Sequence, residues 1–209
     1  AGNFIQKNPS QIEKQLISPK KIDDSVIIYT YDSTYKQSGE DRRSGVLYAT
    51  ANAVETALNQ IMEYSRQAGK KDAGSILLLG RYGFDGDYLE RSGLFEYKTR
   101  GSKIKSVKYP QLDITFMTVH MSKGLGYDNV ILINMFEGKF GFPCQIEDDP
   151  IMKLVMHEDR SMPFAEERRL FYVAMTRTKN RVYIATPKHK PSRFLVELIK
   201  DYNLSHDEG

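Results

Sequence analysis

Short apolar runs alternate with amphipathic stretches along the chain, and each pattern predicts one type of element. Residues 25–31 (SVIIYTY) and 181–186 (RVYIAT) are rich in β-branched and aromatic residues, as strands are. Residues 75–79 (SILLL) form a continuous apolar run beside glycines, which is typical of a parallel strand covered on both faces. Further strands are predicted at 45–49 and over the run 129–134 (NVILIN).

Helical periodicity separates these strands. Residues 53–68 place one set of side chains on a single face, and Gly69 supplies a C-terminal stop. The members of that face are Val54, Ala57, Leu58, Ile61, Ser65 and Ala68. Helices are also predicted at 148–155 and 192–202. Strands that alternate with helices predict an α/β fold, in which a mostly parallel sheet is flanked by helices.

The most distinctive helix is predicted over 164–178. Glu166 and Glu167 fall in its first turn, where the helix dipole favours carboxylates. The residues that share one of its faces are Leu170, Val173, Ala174 and Arg177. An arginine at the end of that face either offsets the helix dipole or, because its planar fork binds two oxygens, meets a phosphate. The helix by itself leaves both interpretations open.

A basic turn follows the strand pattern that begins at Ile114. The turn contains Ser122, Lys123 and Gly124, and the apolar run 129–134 comes after it. A basic side chain, a hydroxyl and a flexible backbone are the chemistry that holds an anion on backbone N–H groups. The turn is therefore a second candidate for phosphate binding.

The composition suits one globular domain and narrows its chemistry. A net charge of +3 over 209 residues permits nucleic-acid binding without arguing for it. The single cysteine, Cys144, excludes an internal disulfide framework, and with four histidines it forms no metal-site spacing. No apolar run is long enough to span a membrane, so a cytoplasmic location without membrane contact is expected. The sequence contains no Gly-x-x-x-x-Gly-Lys-[Ser/Thr], so it has no Walker A loop for ATP.

The two candidate phosphate-binding segments together resemble motifs V and VI of the UvrD/Rep-type superfamily 1 DNA helicases. Motif V of that family runs roughly Thr-x-His-x-x-Lys-Gly-Leu-Glu. The residues that match it are Thr118, His120, Lys123, Gly124 and Leu125. Motif VI runs roughly Glu-Glu-Arg-Arg-Leu-x-Tyr-Val-Ala-x-Thr-Arg, and residues 166–177 match it almost throughout. Two long motifs in the family's order make the resemblance specific.

The resemblance implies that residues 1–209 are the second RecA-like (2A) domain of such a helicase. That domain has a P-loop NTPase-like layered fold without its own Walker A loop. The helicase IV branch is the most similar, because residues 80–112 are a short connection where longer relatives carry an inserted subdomain. Within it, Arg81, Tyr82 and Arg91 could reach nucleic acid, but they are rather expected to be surface positions on a loop and a short helix. Motif IV lies further upstream in the family, so the chain is expected to be a fragment of a longer protein.

Residue roles implied by the family divide between nucleotide and DNA. Arg177 is expected to be the arginine finger for ATP, which an upstream RecA-like domain binds together with Mg²⁺. The predicted nucleotide contacts are Lys123, Gly124, Gly126 and Arg177, and the predicted contacts to single-stranded DNA are Thr118, His120 and Ser122. The plain alternatives are a satisfied strand-end histidine at 120 and a solvated turn lysine at 123. No metal ligand is predicted.

Gly126 departs from the family pattern, which has a glutamate after Gly-Leu. In the family that carboxylate bonds the ribose of the nucleotide, and glycine has no side chain with which to do so. Asp128, two residues further on, is a candidate substitute. The departure bears on nucleotide affinity and sugar selectivity.

Three functions fit these motifs. The first is the C-terminal motor domain of an ATP-dependent DNA helicase, for example in DNA repair, which steps along one strand. The second is part of a helicase-like ATPase that acts on a protein complex such as RNA polymerase. The third is a degenerate domain kept as a binding module, which predicts no Walker A loop upstream. The 209-residue chain alone is expected to lack ATPase activity, because half of the site is absent.

Overall fold

A computed structural model describes residues 2–7, 24–34, 42–97, 102–146, 162–202, 204 and 206–207 of the chain. The strands are β1 (Val26–Tyr31), β2 (Ile76–Gly80), β3 (Phe95–Tyr97), β4 (Lys103–Ser106), β5 (Ile114–Thr118), β6 (Tyr127–Leu132), β7 (Thr178–Pro187) and β8 (His206–Asp207). The helices are α1 (Gly2–Gln6), α2 (Arg42–Gln67), α3 (Phe84–Arg91), α4 (Ala165–Met175) and α5 (Arg193–Tyr202), with a 3₁₀ turn at His120–Ser122. Within these ranges no helix is long and apolar enough to cross a membrane.

The strands form one sheet in the order β3-β4-β5-β2-β6-β7-β1-β8. The pairs from β5 through β2, β6, β7 and β1 to β8 are all parallel. Only β3 with β4 and β4 with β5 are antiparallel. The predicted α/β fold with a mostly parallel sheet is therefore confirmed.

The apolar run of β2 is explained by cover on both faces of the sheet. Ile76 and Leu78 join a core with α2, whereas Leu77 and Leu79 join a second core with α1, α4 and α5. All five residues of β2 are buried. A strand whose two faces both meet helices has no position for a polar side chain, so its sequence shows no alternation.

Helix α2 confirms one prediction and corrects another. Its predicted core face is buried at Val54, Ala57, Leu58 and Ile61, but Ser65 is only half-buried and Ala68 is exposed beyond the last helical residue. Gly69 has a left-handed φ of 65° beyond the end of the helix. However, the strand predicted at 45–49 is wrong, because these residues belong to the helix. A short apolar run does not distinguish a strand from a buried helical segment by periodicity alone.

The connection at 80–112 contains more structure than the predicted loop and short helix. It forms α3, β3 and β4, and the two strands extend the sheet beyond β5. Near the C-terminus, β8 pairs with β1 in parallel. The helix predicted at 148–155 lies outside the described residues.

A buried carboxylate fixes the turn between β2 and α3. Asp85 accepts hydrogen bonds from the Tyr82 N–H at 2.9 Å and from the Asn134 side-chain amide at 2.7 Å. Asn134 follows β6 and has a left-handed φ of 57°. Because burial disfavours the charged form, the pKa of Asp85 is raised from its usual 3.8 to about 6. The contact links the carboxyl ends of two neighbouring strands.

A buried arginine joins three helices on the other face. The Arg168 guanidinium of α4 pairs in bidentate fashion with Glu197 of α5, at 2.9 and 2.7 Å. It also lies 4.3 Å from the ring centroid of Phe4 in α1 and 5.2 Å from that of Phe194. The next residue, Arg169, pairs with Glu166 at the surface.

Substituting the two adjacent arginines should separate a buried ion pair from an exposed one. Arg168→Met keeps an apolar stem but leaves Glu197 with only Lys7, so we expect it to lower the free energy of unfolding by roughly 3 kcal/mol. The matched Arg169→Met should change it by less than about 1 kcal/mol, because solvent screens its pair. Urea unfolding measures both values, and equal losses would contradict the assignment.

The raised pKa of Asp85 predicts a specific pH dependence. The fold favours the neutral carboxyl, so its stabilising contribution is complete below about pH 4 and is lost as the pH rises through about 6. The stability of the wild type relative to Asp85→Asn should therefore fall by roughly 3 kcal/mol between about pH 4 and pH 7. Thermal or urea unfolding across this range gives the difference. A flat difference would show that Asp85 titrates at its usual pKa.

Candidate functional site

Loops that follow β2, β5 and β6 come together at one edge of the sheet. The Val119 N–H donates to the Gly80 carbonyl at 3.1 Å, and the Ile133 N–H donates to the Leu79 carbonyl at the same distance. These three strands run parallel, so their carboxyl ends meet at this edge. In open α/β sheets, ligands bind outside the carboxyl ends of the strands. Thr118 and His120 of motif V lie here, whereas Gly126 directly precedes β6 and therefore lies toward the opposite ends of the strands.

The motif V turn presents some of its predicted contacts to solvent and buries one. His120, Lys123, Gly124 and Gly126 are exposed, and Gly124 has a left-handed φ of 83°. Thr118 is half-buried at the end of β5. The predicted contact of Ser122 with DNA does not fit this geometry, because its side chain is buried. Its hydroxyl donates to the Val119 carbonyl at 2.7 Å and so shapes the turn.

Arg177 lies directly after helix α4 and against the motif V turn. Its Nε donates to the Val173 carbonyl at 2.9 Å, and one terminal nitrogen donates to the Leu125 carbonyl at 3.0 Å. The other terminal nitrogen donates to the Thr176 hydroxyl at 3.0 Å. The Arg177 carbonyl in turn accepts the Tyr127 N–H at 2.9 Å. The structure thus brings motifs V and VI into direct contact.

These contacts bear on both interpretations of Arg177. The bond to Val173 satisfies a carbonyl of the last helical turn, as a C-terminal cation does. The bond to Leu125 reaches outside the helix and holds the guanidinium against the motif V turn. The helix itself ends at Met175, earlier than predicted, so Arg177 leaves the helical face it was assigned to.

Asp128, the candidate substitute for the glutamate that Gly126 lacks, is hydrogen-bonded to Ser75. One oxygen of its carboxylate accepts both the N–H and the hydroxyl of Ser75, at 2.9 and 2.8 Å. These hydrogen bonds lower the pKa of Asp128. The side chain instead closest to position 126 is Lys179, whose Cε would lie 3.8 Å from a Cβ added there.

Sequence reasoning missed the ion pair that supports this edge. Arg81 follows β2 and donates to both carboxylate oxygens of Glu167 in α4, at 3.1 and 2.6 Å. One Arg81 terminal nitrogen lies 3.5 Å from Nδ1 of His120, and the Cys144 N–H donates to Glu167 at 2.9 Å. The Arg81 and Glu167 side chains are only 14% and 12% exposed, so Arg81 is not the surface residue that was expected.

No pattern in the sequence announces this pair, because its partners are 86 positions apart. Glu167 was predicted only as a carboxylate in the first helical turn, and its ion pair with Arg81 was not predicted. Among the described residues no group of histidine, cysteine, aspartate and glutamate side chains is arranged to hold a metal ion.

Comparisons with known proteins agree with the motifs. Residues 3–189 match the family described as UvrD-like helicase C-terminal domain. DNA helicase IV from Escherichia coli is 30% identical over 204 residues, which are 98% of this chain and 24% of that protein. The ATP-dependent DNA helicase PcrA from Staphylococcus epidermidis is 31% identical over 130 residues, 56% of this chain and 16% of PcrA.

A solved structure, the C-terminal domain of a possible DNA helicase from Lactobacillus plantarum, aligns with 84% of this chain and 80% of its own. Its sequence identity is 13% and its TM-score is 0.42. The chain spans about a quarter of the length of DNA helicase IV and less of PcrA. The family match covers most of the 209 residues, and the chain therefore belongs to the UvrD-like helicase C-terminal domain family.

Proposed function

We propose that this chain is the C-terminal motor domain of an ATP-dependent DNA helicase. In this proposal it supplies Arg177 and the motif V turn to a nucleotide that an upstream RecA-like domain binds through its Walker motifs. The observation that carries the proposal is the hydrogen bond from Arg177 to the Leu125 carbonyl, which holds two separate cationic segments side by side. The relatives that match the chain are named as DNA helicases, two of them PcrA and helicase IV.

The residues present fit one side of a nucleotide site. Lys123 and the flexible backbone at Gly124 offer an exposed cation and N–H groups to phosphate oxygens. A guanidinium has five N–H donors, and Arg177 uses three of them in the contacts described above. Two N–H groups are then left for the oxygens of a phosphate, on a side chain that is already oriented.

The chemistry expected of Arg177 is electrostatic. In phosphoryl transfer, charge accumulates on the γ-phosphate oxygens, and an arginine from the facing domain stabilises that charge. Arg177 meets the requirement for prior orientation because its Nε and both terminal nitrogens are held. Mg²⁺ is assigned to the upstream domain, since the described residues bring no carboxylate cluster to this edge.

On the DNA side, Thr118 and His120 are the proposed contacts with a single strand. His120 is exposed, and Arg81 beside it is fixed by Glu167, so two N–H donors are held in a set position. Phosphate contacts of this kind release counterions, and binding should weaken as salt rises. Ser122 is left out of the contact because its hydroxyl is used internally.

Replacing Arg177 tests the nucleotide half of the proposal. In the full-length protein, Arg177→Ala is expected to lower kcat for ATP hydrolysis roughly 10³-fold or more, because the transition-state charge loses its partner. Arg169→Ala, in the same motif but at the surface, should leave the rate unchanged. The 209-residue chain alone is expected to show no turnover.

Three outcomes of that assay have distinct meanings. An unchanged rate in Arg177→Ala would show that the arginine serves only the helix end. Wild-type hydrolysis that ignores single-stranded DNA would favour a motor that acts on a protein complex such as RNA polymerase. Hydrolysis stimulated by DNA and lost in Arg177→Ala supports the helicase.

Replacing His120 tests the DNA half. His120→Ala is expected to weaken binding of an oligonucleotide about tenfold, because a hydrogen bond to a charged phosphate contributes roughly 1.5 kcal/mol. Lys71→Gln, an exposed change before β2 at the opposite edge of the sheet, should have no effect. Fluorescence anisotropy at two salt concentrations gives the affinities. Equal losses in both variants would point to diffuse charge attraction and reject the contact.

A further inference from the structure

A cavity of about 540 Å³ opens at the same edge of the sheet, between α2, α3 and the loop after β6. Four of the residues that line it are aromatic, namely Phe84, Tyr88, Phe136 and Phe140. Its polar lining includes the hydrogen-bonded pair of Asp85 and Asn134. The volume lies within the range of small-molecule sites, and none of the functions assigned above uses it.

Ring contacts connect this cavity with the proposed DNA contacts. Tyr82 stacks on Phe84 with 4.9 Å between ring centroids, and Phe140 meets both rings edge-on at 6.0 and 6.2 Å. Tyr82 directly follows Arg81, whose guanidinium lies over its ring at 5.1 Å and also reaches His120. A strand lying along His120 and Arg81 would therefore pass the mouth of the cavity.

Phe140 stands at that mouth. Its side chain is 49% exposed, an unusual position for a phenylalanine, and the Lys139 ammonium lies 5.9 Å from its ring centroid. Cations outside an aromatic cavity suit a phosphate backbone that stays in solvent while its bases turn inward. Phe84, which meets Phe140 edge-on, also contacts Tyr88, with 5.2 Å between their ring centroids.

The charge inside the cavity limits the kinds of ligand that the cavity can bind. Asp85 is buried within the lining, and above about pH 6 its carboxylate is ionised and repels any anionic ligand, including a nucleotide phosphate or an acidic side chain. A neutral, flat, polar group meets no such repulsion. It can stack on the rings and hydrogen-bond to the Asn134 amide or the Asp85 oxygens.

From these contacts we infer that the cavity takes one unstacked base of the single strand, with Phe140 as its stacking partner. The inference rests on the proposed function, since it needs the strand to run along His120 and Arg81. It adds a base contact to a domain whose other proposed contacts are with the sugar-phosphate backbone. Stacking tolerates every base, so the cavity holds position along the strand without reading sequence.

The test uses the full-length protein and a set of 16-nucleotide strands, each with one abasic position. Wild-type affinity should drop at one or two adjacent abasic positions. Phe140→Ala should bind the intact strand roughly 5- to 150-fold more weakly, the range for loss of one base–aromatic stack. It should also become insensitive to the abasic positions that matter to the wild type.

Controls separate stacking from charge and from unfolding. Phe140→Trp should restore the affinity, because it keeps a stacking face. Tyr202→Ala removes another exposed aromatic from α5, on the other face of the sheet, and should have no effect. The dependence of affinity on salt should be unchanged in Phe140→Ala, because no phosphate contact is lost, whereas Lys139→Gln should lower the slope by about 1.

The results distinguish this inference from the function on which it rests. If the wild type binds strands and loses affinity in His120→Ala, but Phe140→Ala binds normally, the cavity does not hold a base and only this inference falls. If the wild type binds no strand, the proposed function fails and the inference falls with it. The inference is also overturned if Phe140→Ala binds every strand more weakly than the wild type by the same factor, including the strands whose abasic positions matter to the wild type.

Discussion

The carboxylate of Glu167 is the point on which the functional edge depends. It accepts two hydrogen bonds from Arg81 after β2 and one from the backbone at Cys144 after β6, while its own helix carries the rest of motif VI. At 12% exposure it is screened little by solvent. Charged hydrogen bonds of this kind are among the stronger ones in proteins. Removing one partner leaves the other buried and unpaired, which costs stability. Three segments distant in sequence therefore share one anchor.

The residues of motif VI divide their work by the side of the helix on which they lie. Glu167 serves the loops at the edge of the sheet, and Arg168 ties the helix to α1 and α5. Glu166 and Arg169 pair with each other at the exposed surface of the helix. Arg177, beyond the helix, is directed at the motif V turn. Several residues of motif VI thus serve to position the helix that precedes Arg177.

How much of this was readable from the sequence follows from how local each feature is. The buried strands and the core face of α2 were predicted correctly, because periodicity and composition are properties of neighbouring residues. The strand was wrongly predicted at 45–49 because a run of five apolar residues fits the period of a strand and that of a buried helix equally well. The Arg81–Glu167 pair and the burial of Ser122 were invisible, since each depends on residues brought together only by the sheet. The family motifs predicted site residues but not the contacts that hold them in place.

The antiparallel pair β3–β4 forms one side of a sheet whose other strands are mostly parallel. Its outermost strand has three residues, one of them the exposed Glu96, so it offers little backbone to a strand from another molecule. Four strand spacings, roughly 19 Å, separate β3 from β6 and the loop that carries Phe140. Residues gained or lost beyond β3 would therefore leave β6 and the loop after it in place.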